Sequence, residues 1–157
     1  MSDAPVLDGT PGALIASRLY QCRVERNAEF PSGTLKLQIG ADIGTEARLA
    51  KLSANPDETV ILGRVSLKLR INEQEPAEGQ APRTFVTIEI AVDGHLETEF
   101  KLENLTGDRQ MSAGFVSKVT DALLACVDPY LRQLVAAAAL PVGFELRQLI
   151  ELSRRQG

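Results

Sequence analysis

Apolar and polar residues alternate along most of the chain, and the period changes near Ser112. Over Ala16–Arg26, Tyr20, Cys22 and Val24 fall on one side while Gln21, Arg23 and Glu25 fall on the other, which predicts a half-buried strand. Pro31, Ser32 and Gly33 interrupt it. A second strand is predicted over Thr34–Ile43, with Leu35, Leu37, Ile39, Ala41 and Ile43 at a period of two. Glu46–Leu52 has helical spacing but is short, and Asn55-Pro56-Asp57 then breaks the chain, so this stretch is expected to be a loop with one helical turn at most.

The clearest strand spans Thr59–Asn72. Ile61, Val65, Leu67, Leu69 and Ile71 point one way, and Arg64, Ser66, Lys68 and Arg70 the other. A slip of one residue would bury three cations, so the register is well specified. The polar stretch Glu73–Pro82 reads as a hairpin loop. Arg83–Val92 alternates again, with Val86, Ile88, Ile90 and Val92 on one face. Asp93-Gly94 reads as a turn or a bulge. His95–Leu102 is then either the same strand, bent, or a short fifth one.

From Ser112 the period becomes helical. Phe115, Val119, Leu123 and Val127 recur every four residues, flanked by Val116 and Leu124. Pro129 lacks the amide a helix interior needs, so a kink or a fresh start is expected at Asp128-Pro129. The stripe continues through Leu131, Leu134, Val135 and Ala138 until Pro141 and Gly143. Phe144–Arg155 forms a last amphipathic segment with Leu146, Leu149 and Ile150 on one stripe. Strands followed by helices, without βαβ alternation, predict an α+β fold: an antiparallel sheet with helices packed on one side.

Length and composition narrow the function. The 157 residues suit one domain, expected over residues 13–157 behind a flexible leader at 1–12. A net charge of −4 argues against nucleic acid as a partner, because phosphate binding needs a basic footprint and base stacking needs aromatics. No basic and apolar leader resembles a signal peptide, and no apolar run is long enough to insert in a bilayer. A cytoplasmic protein follows as the default expectation.

Candidate chemistry is sparse. Cys22 and Cys126 have no metal or redox spacing and sit among apolar neighbours, so both read as reduced packing residues. His95 is the only histidine, which excludes a multi-histidine metal site; it reads as a surface or turn residue. No GxSxG, GxGxxG or phosphate-loop pattern appears. Glu97, Glu99 and Glu103 read as a solvated face. No catalytic residue, metal or cofactor is therefore expected, and the chain reads as a binder rather than an enzyme. The row Arg64, Lys68 and Arg70 is either an exposed sheet face or a docking surface for an acidic partner. The apolar supply of sheet and helices exceeds what a small monomer easily hides, which points to an oligomer interface or a groove for apolar peptides.

Two regions resemble the SecB-like export-chaperone family. One is Arg18-Leu19-Tyr20 in the opening strand, leading to Pro31. The other is Pro129-Tyr130-Leu131-Arg132, followed by Leu140-Pro141 and a short last helix. Between them, Phe85 to Gly94-His95-Leu96 looks like the family's last strand with its glycine turn. The element order agrees over residues 13–152. The resemblance implies a four-stranded antiparallel sheet with a long and a short C-terminal helix. It also implies a homo-oligomer (a dimer or a dimer of dimers) that binds unfolded polypeptide clients in apolar grooves without ATP, for export or for an antitoxin client. Positions matching those grooves by element are Tyr20, Val24, Phe30, Leu35, Leu146 and Ile150. Where the family docks its translocation motor through acids along the first strand, this chain carries Arg23 and Asn27, which argues against motor docking. The competing readings are an adaptor or assembly factor with one folded partner, and a small-molecule enzyme or carrier built on a sheet-and-helix cup.

Overall fold

The computed structural model describes residues 7–28, 37–51, 58–74, 78–100, 111–137 and 146–156. Four strands are followed by two helices: β1 (Leu14–Arg26), β2 (Leu37–Lys51), β3 (Thr59–Glu73), β4 (Thr84–Glu97), α1 (Ala113–Ala137) and α2 (Leu146–Gln156). The fold is α+β, and the sheet is antiparallel with the order β1-β4-β3-β2. β1 and β2 are thus its edges. The expected α+β class, the strands and both helices are present.

Two compact units share these elements. One is built from the described residues of Met1–Tyr20, Thr45–Val65 and Val92–Val127; the other from those of Gln21–Gly44, Ser66–Ala91 and Asp128–Gly157. In the first, Ile61 and Val65 of β3, Val92 and Leu96 of β4, and Phe115, Val119, Leu123 and Val127 of α1 are completely buried. In the second, Leu67, Leu69 and Ile71 of β3, Ile88 and Ile90 of β4, Leu131 of α1 and Leu149 of α2 form the core. These are the faces that alternation and helical spacing assign.

One expectation changes, and two pairs of alternatives each lose a member. Residues 46–51 are strand, not loop, because β2 continues to Lys51 beside β3. The Thr45 hydroxyl meets that of Thr120 on α1 at 2.5 Å, so the helix-facing side of β2 still has a partner there. Leu52 and Asn55-Pro56-Asp57 lie outside the described residues. Asp93-Gly94 is not a turn: β4 runs through it to Glu97, and Gly94 does not have a positive φ. Pro129 starts no new helix and lies inside α1, where it cannot donate to the carbonyl four residues earlier.

Gly94 is needed for approach rather than for turning. A Cβ at Gly94 would lie 2.2 Å from Cδ2 of Leu123, and one at Gly63 would lie 2.8 Å from its Cδ1. The two glycines, on neighbouring strands, form the notch that receives Leu123.

The start of α1 is tied to residues 7–10. Leu7 is buried and forms a parallel bridge with Met111, and its carbonyl accepts the Ser112 amide at 2.8 Å. Ser112 caps the helix, since its Oγ accepts the Phe115 amide at 3.0 Å while donating to Asp8 at 2.7 Å. The Lys118 Nζ donates to the Gly9 carbonyl at 3.0 Å and lies 3.2 Å from the Thr10 hydroxyl.

Candidate functional site

β1 differs from the other strands because it is exposed on both faces, with only Leu19 half-buried. Every large exposed apolar side chain among the described residues lies on it: Leu14, Ile15, Tyr20 and Val24. The expectation of a half-buried strand is corrected here. Alternation shows that a strand has an apolar side, but not whether anything covers it, and an edge strand has a neighbour on one side only. Cys22 is correspondingly exposed rather than packed, while Cys126 is half-buried.

The alternation of β1 also slips. Leu14 Cδ1 comes within 3.2 Å of where a Gly94 side chain would begin, on the face toward Leu123. Arg18 and Tyr20 have the same parity as Leu14. Yet Arg18 pairs with Asp93 and Tyr20 lies under Arg64, on the opposite face. One extra residue between Leu14 and Arg18 accounts for the inversion, as a β-bulge does. A second two-against-one arrangement ends the strand, where the amides of Asn27 and Ala28 both donate to the Phe85 carbonyl, at 2.8 and 3.4 Å.

Asp93 organises the first unit's sheet face. It accepts Arg64 in a fork, Nε to Oδ1 at 2.6 Å and Nη2 to Oδ2 at 3.1 Å, and its Oδ2 lies 3.6 Å from Nη2 of Arg18. The Arg64 guanidinium carbon stands 3.4 Å from the Tyr20 ring centroid, a cation–π contact. The bond from Arg64, more than the nearby charges, holds the Asp93 carboxyl below its ordinary pKa, and the same bond pushes the Arg64 guanidinium further up. A cavity of about 450 Å³ opens beside this cluster, lined by Arg18, Glu46, Arg48, Arg64, Asp93 and His95 among others.

The shift sets a pH test. An unfolded aspartate titrates near about 3.9. Since the folded Asp93 titrates lower, its contribution is fully present above that value and is lost as pH falls through the folded pKa. Asp93→Asn is expected to lower the urea midpoint at pH 7, and the gap to wild type should close as pH falls below about 4. A gap independent of pH would show that the fork adds nothing through ionisation.

In the second unit, Lys68 bridges to Glu89 at 3.3 Å and Arg70 pairs with Asp42. All three cations of the β3 row are thus matched by acids on the neighbouring strands. The row is an internally neutralised face, as the solvated reading expects, and not by itself a cationic docking surface.

The candidate client positions divide as follows. Tyr20 is 54 % exposed, with Arg64 on its ring; Val24 is 37 % exposed; Ile150 is half-buried on α2. Leu146 begins α2. Phe30 and Leu35 lie outside the described residues. Arg23 bridges to Glu25 at 3.2 Å, and the Asn27 amide belongs to the sheet. His95 is a strand residue lining the cavity, not a turn residue. Glu97 and Glu99 are exposed, and Glu103 lies outside the described residues. Among the described residues there is no cluster of metal ligands and no helix long and apolar enough to cross a membrane.

No family model matches the chain, and no curated protein matches it in sequence. Solved structures do match in fold. One is the Mycobacterium tuberculosis Rv1957 SecB-like chaperone in complex with a ChAD peptide from the Rv1956 HigA1 antitoxin. The TM-score is 0.51 at 16% identity, over 85% of this chain and 88% of that one. The fold is therefore SecB-like.

Proposed function

We propose that this chain is an ATP-independent holdase that binds unfolded or non-native polypeptides through apolar contacts. The observation that carries this reading is the concentration of exposed apolar side chains on β1, in a fold shared with a chaperone whose structure holds an antitoxin peptide. An edge strand offers unpaired backbone groups as well as side chains, so an extended client can be held by both. Val24, Ile150, Leu146, Tyr20, Phe30 and Leu35 are the proposed client positions. The protein is proposed to be a cytoplasmic homo-oligomer, a dimer or a dimer of dimers, serving export or an antitoxin client. With Arg23 and Asn27 in place of acids, it holds clients without docking a translocation motor.

At stoichiometric ratio the purified protein is expected to suppress aggregation of a chemically unfolded client. Light scattering should give a mass at a multiple of 17.0 kDa. Val24→Ser, at an exposed position, should weaken suppression several-fold while leaving the urea midpoint near that of wild type. A monomeric protein without affinity for any unfolded client would sink the proposal. One stoichiometric folded partner, without general suppression, would favour an adaptor instead.

A further inference from the structure

The cavity beside Asp93 has a chemistry separate from the apolar surface of β1. Its lining includes three guanidiniums, Arg18, Arg48 and Arg64, against two carboxylates, Glu46 and Asp93. The local balance is positive on a chain whose net charge is −4. These charges are unequally available. Arg64 is forked onto Asp93 and stacked on Tyr20, so it serves as a strut. Arg18 is 78 % exposed in its side chain and touches Asp93 only at 3.6 Å, beyond hydrogen-bond length, which leaves its donors open. Arg48 is exposed and has no partner among the described residues. His95, half-buried on the same wall, adds a ring donor.

The spacing of the open cations identifies the ligand class. Arg18 stands on β1 and Arg48 on β2, at opposite ends of the order β1-β4-β3-β2. Three strand intervals put their backbones about 14 Å apart. A lone carboxylate or phosphate would have to draw both side chains inward across the two intervening strands to meet them together. An extended peptide advances about 3.3 Å per residue, so side chains four residues apart are about 13 Å apart and on the same side. We propose that the cavity binds an acidic peptide segment in extended form, with carboxylates at positions i and i+4 meeting Arg48 and Arg18. Glu46, on the same strand face as Arg48, opposes this binding and limits its strength.

The test uses the full chain and short peptides without apolar residues, so it does not depend on the holdase reading. Acetyl-Glu-Gly-Ser-Gly-Glu-amide is titrated against its single-Gln and double-Gln versions, following the amide shifts of Arg18, Arg48 and His95 by NMR. An exposed ion pair is worth about threefold in affinity, so the two-acid peptide should bind about tenfold more tightly than the double-Gln peptide. Arg48→Gln and Arg18→Gln should each cost about threefold against the two-acid peptide and nothing against the double-Gln one. Glu46→Gln should tighten binding of the acidic peptide. Equal shifts with acidic and neutral peptides, indifference to Arg48→Gln, or displacement by inorganic phosphate at the peptide's own concentration would each overturn the proposal.

Discussion

Gly94→Ala is expected to destabilise the protein by about 3 kcal/mol, the upper end of what overpacking a core costs. The added methyl would stand 2.2 Å from Cδ2 of Leu123, far inside van der Waals contact. A clash with the end of a side chain is mild when that side chain can swing away, but Leu123 is completely buried. Its other methyl lies over Gly63, Leu14 Cδ1 closes the notch at 3.2 Å and the Ala16 carbonyl stands at 3.6 Å. Relief therefore requires the strand and the helix to separate. Gly63→Ala meets Leu123 at 2.8 Å and should cost less. The cause can be isolated by a double-mutant cycle. Leu123→Ala alone removes a buried leucine and costs about 2–5 kcal/mol, but in its presence the Gly94 methyl has room. The double variant should lose less than the sum of the singles by about 1–3 kcal/mol, read from urea midpoints. Additive losses would show that Gly94 acts through backbone freedom and not through the notch.

That notch marks the boundary of what periodicity makes legible. The buried faces of β3 and α1 are readable because each residue's environment follows from its neighbours a few positions away. Ile61, Val65, Leu69, Phe115, Val119 and Leu123 are all fully buried, on the predicted sides. Gly94 is different. After an aspartate it looks like a turn, and only the helix lying over it shows that the glycine is there to leave space. The extension of β2 through residues 46–51 depends likewise on its neighbour β3, which overrides a weak local helical spacing.

The site was less legible than the fold, for two physical reasons. Alternation gives a side chain's face only while strand pairing stays in step, and the slip in β1 puts Arg18 and Tyr20 on the face opposite Leu14 although all three share one parity. Charge rows carry no record of what stands opposite. Arg64, Lys68 and Arg70 look like open cations along β3, yet Asp93, Glu89 and Asp42 on the flanking strands neutralise each of them. Arg48, which no pattern singles out, has no such partner among the described residues. Tyr20 was identifiable as a position of interest, but its partner Arg64 was not.

The second large effect concerns the segment before β1. Leu7→Ala is expected to cost about 2–4 kcal/mol, the range for deleting a buried leucine side chain. Leu7 is only 6 % exposed, so truncation leaves a cavity rather than a wetter surface. The loss reaches further than the side chain. Leu7 is bridged to Met111, and its carbonyl holds the amide of Ser112, the residue that caps α1. Loosening Leu7 therefore frees Ser112, and with it the Phe115 amide, whose own ring is fully buried and packs edge-on against Phe100 at 5.8 Å between centroids. Amide hydrogen exchange separates this from a uniform loss. In Leu7→Ala the first turn of α1, read at Phe115 and Val116, should lose more protection than Ile88 and Ile90 of β4. Asp8→Asn is the matched control, because it alters the same segment without removing buried volume. Its carboxyl, held below the usual carboxylate range by the Ser112 hydroxyl, contributes only above that range, so its effect should vanish in acid while that of Leu7→Ala persists. A Leu7→Ala variant with unchanged midpoint and unchanged exchange would mean that α1 begins without help from the residues ahead of β1.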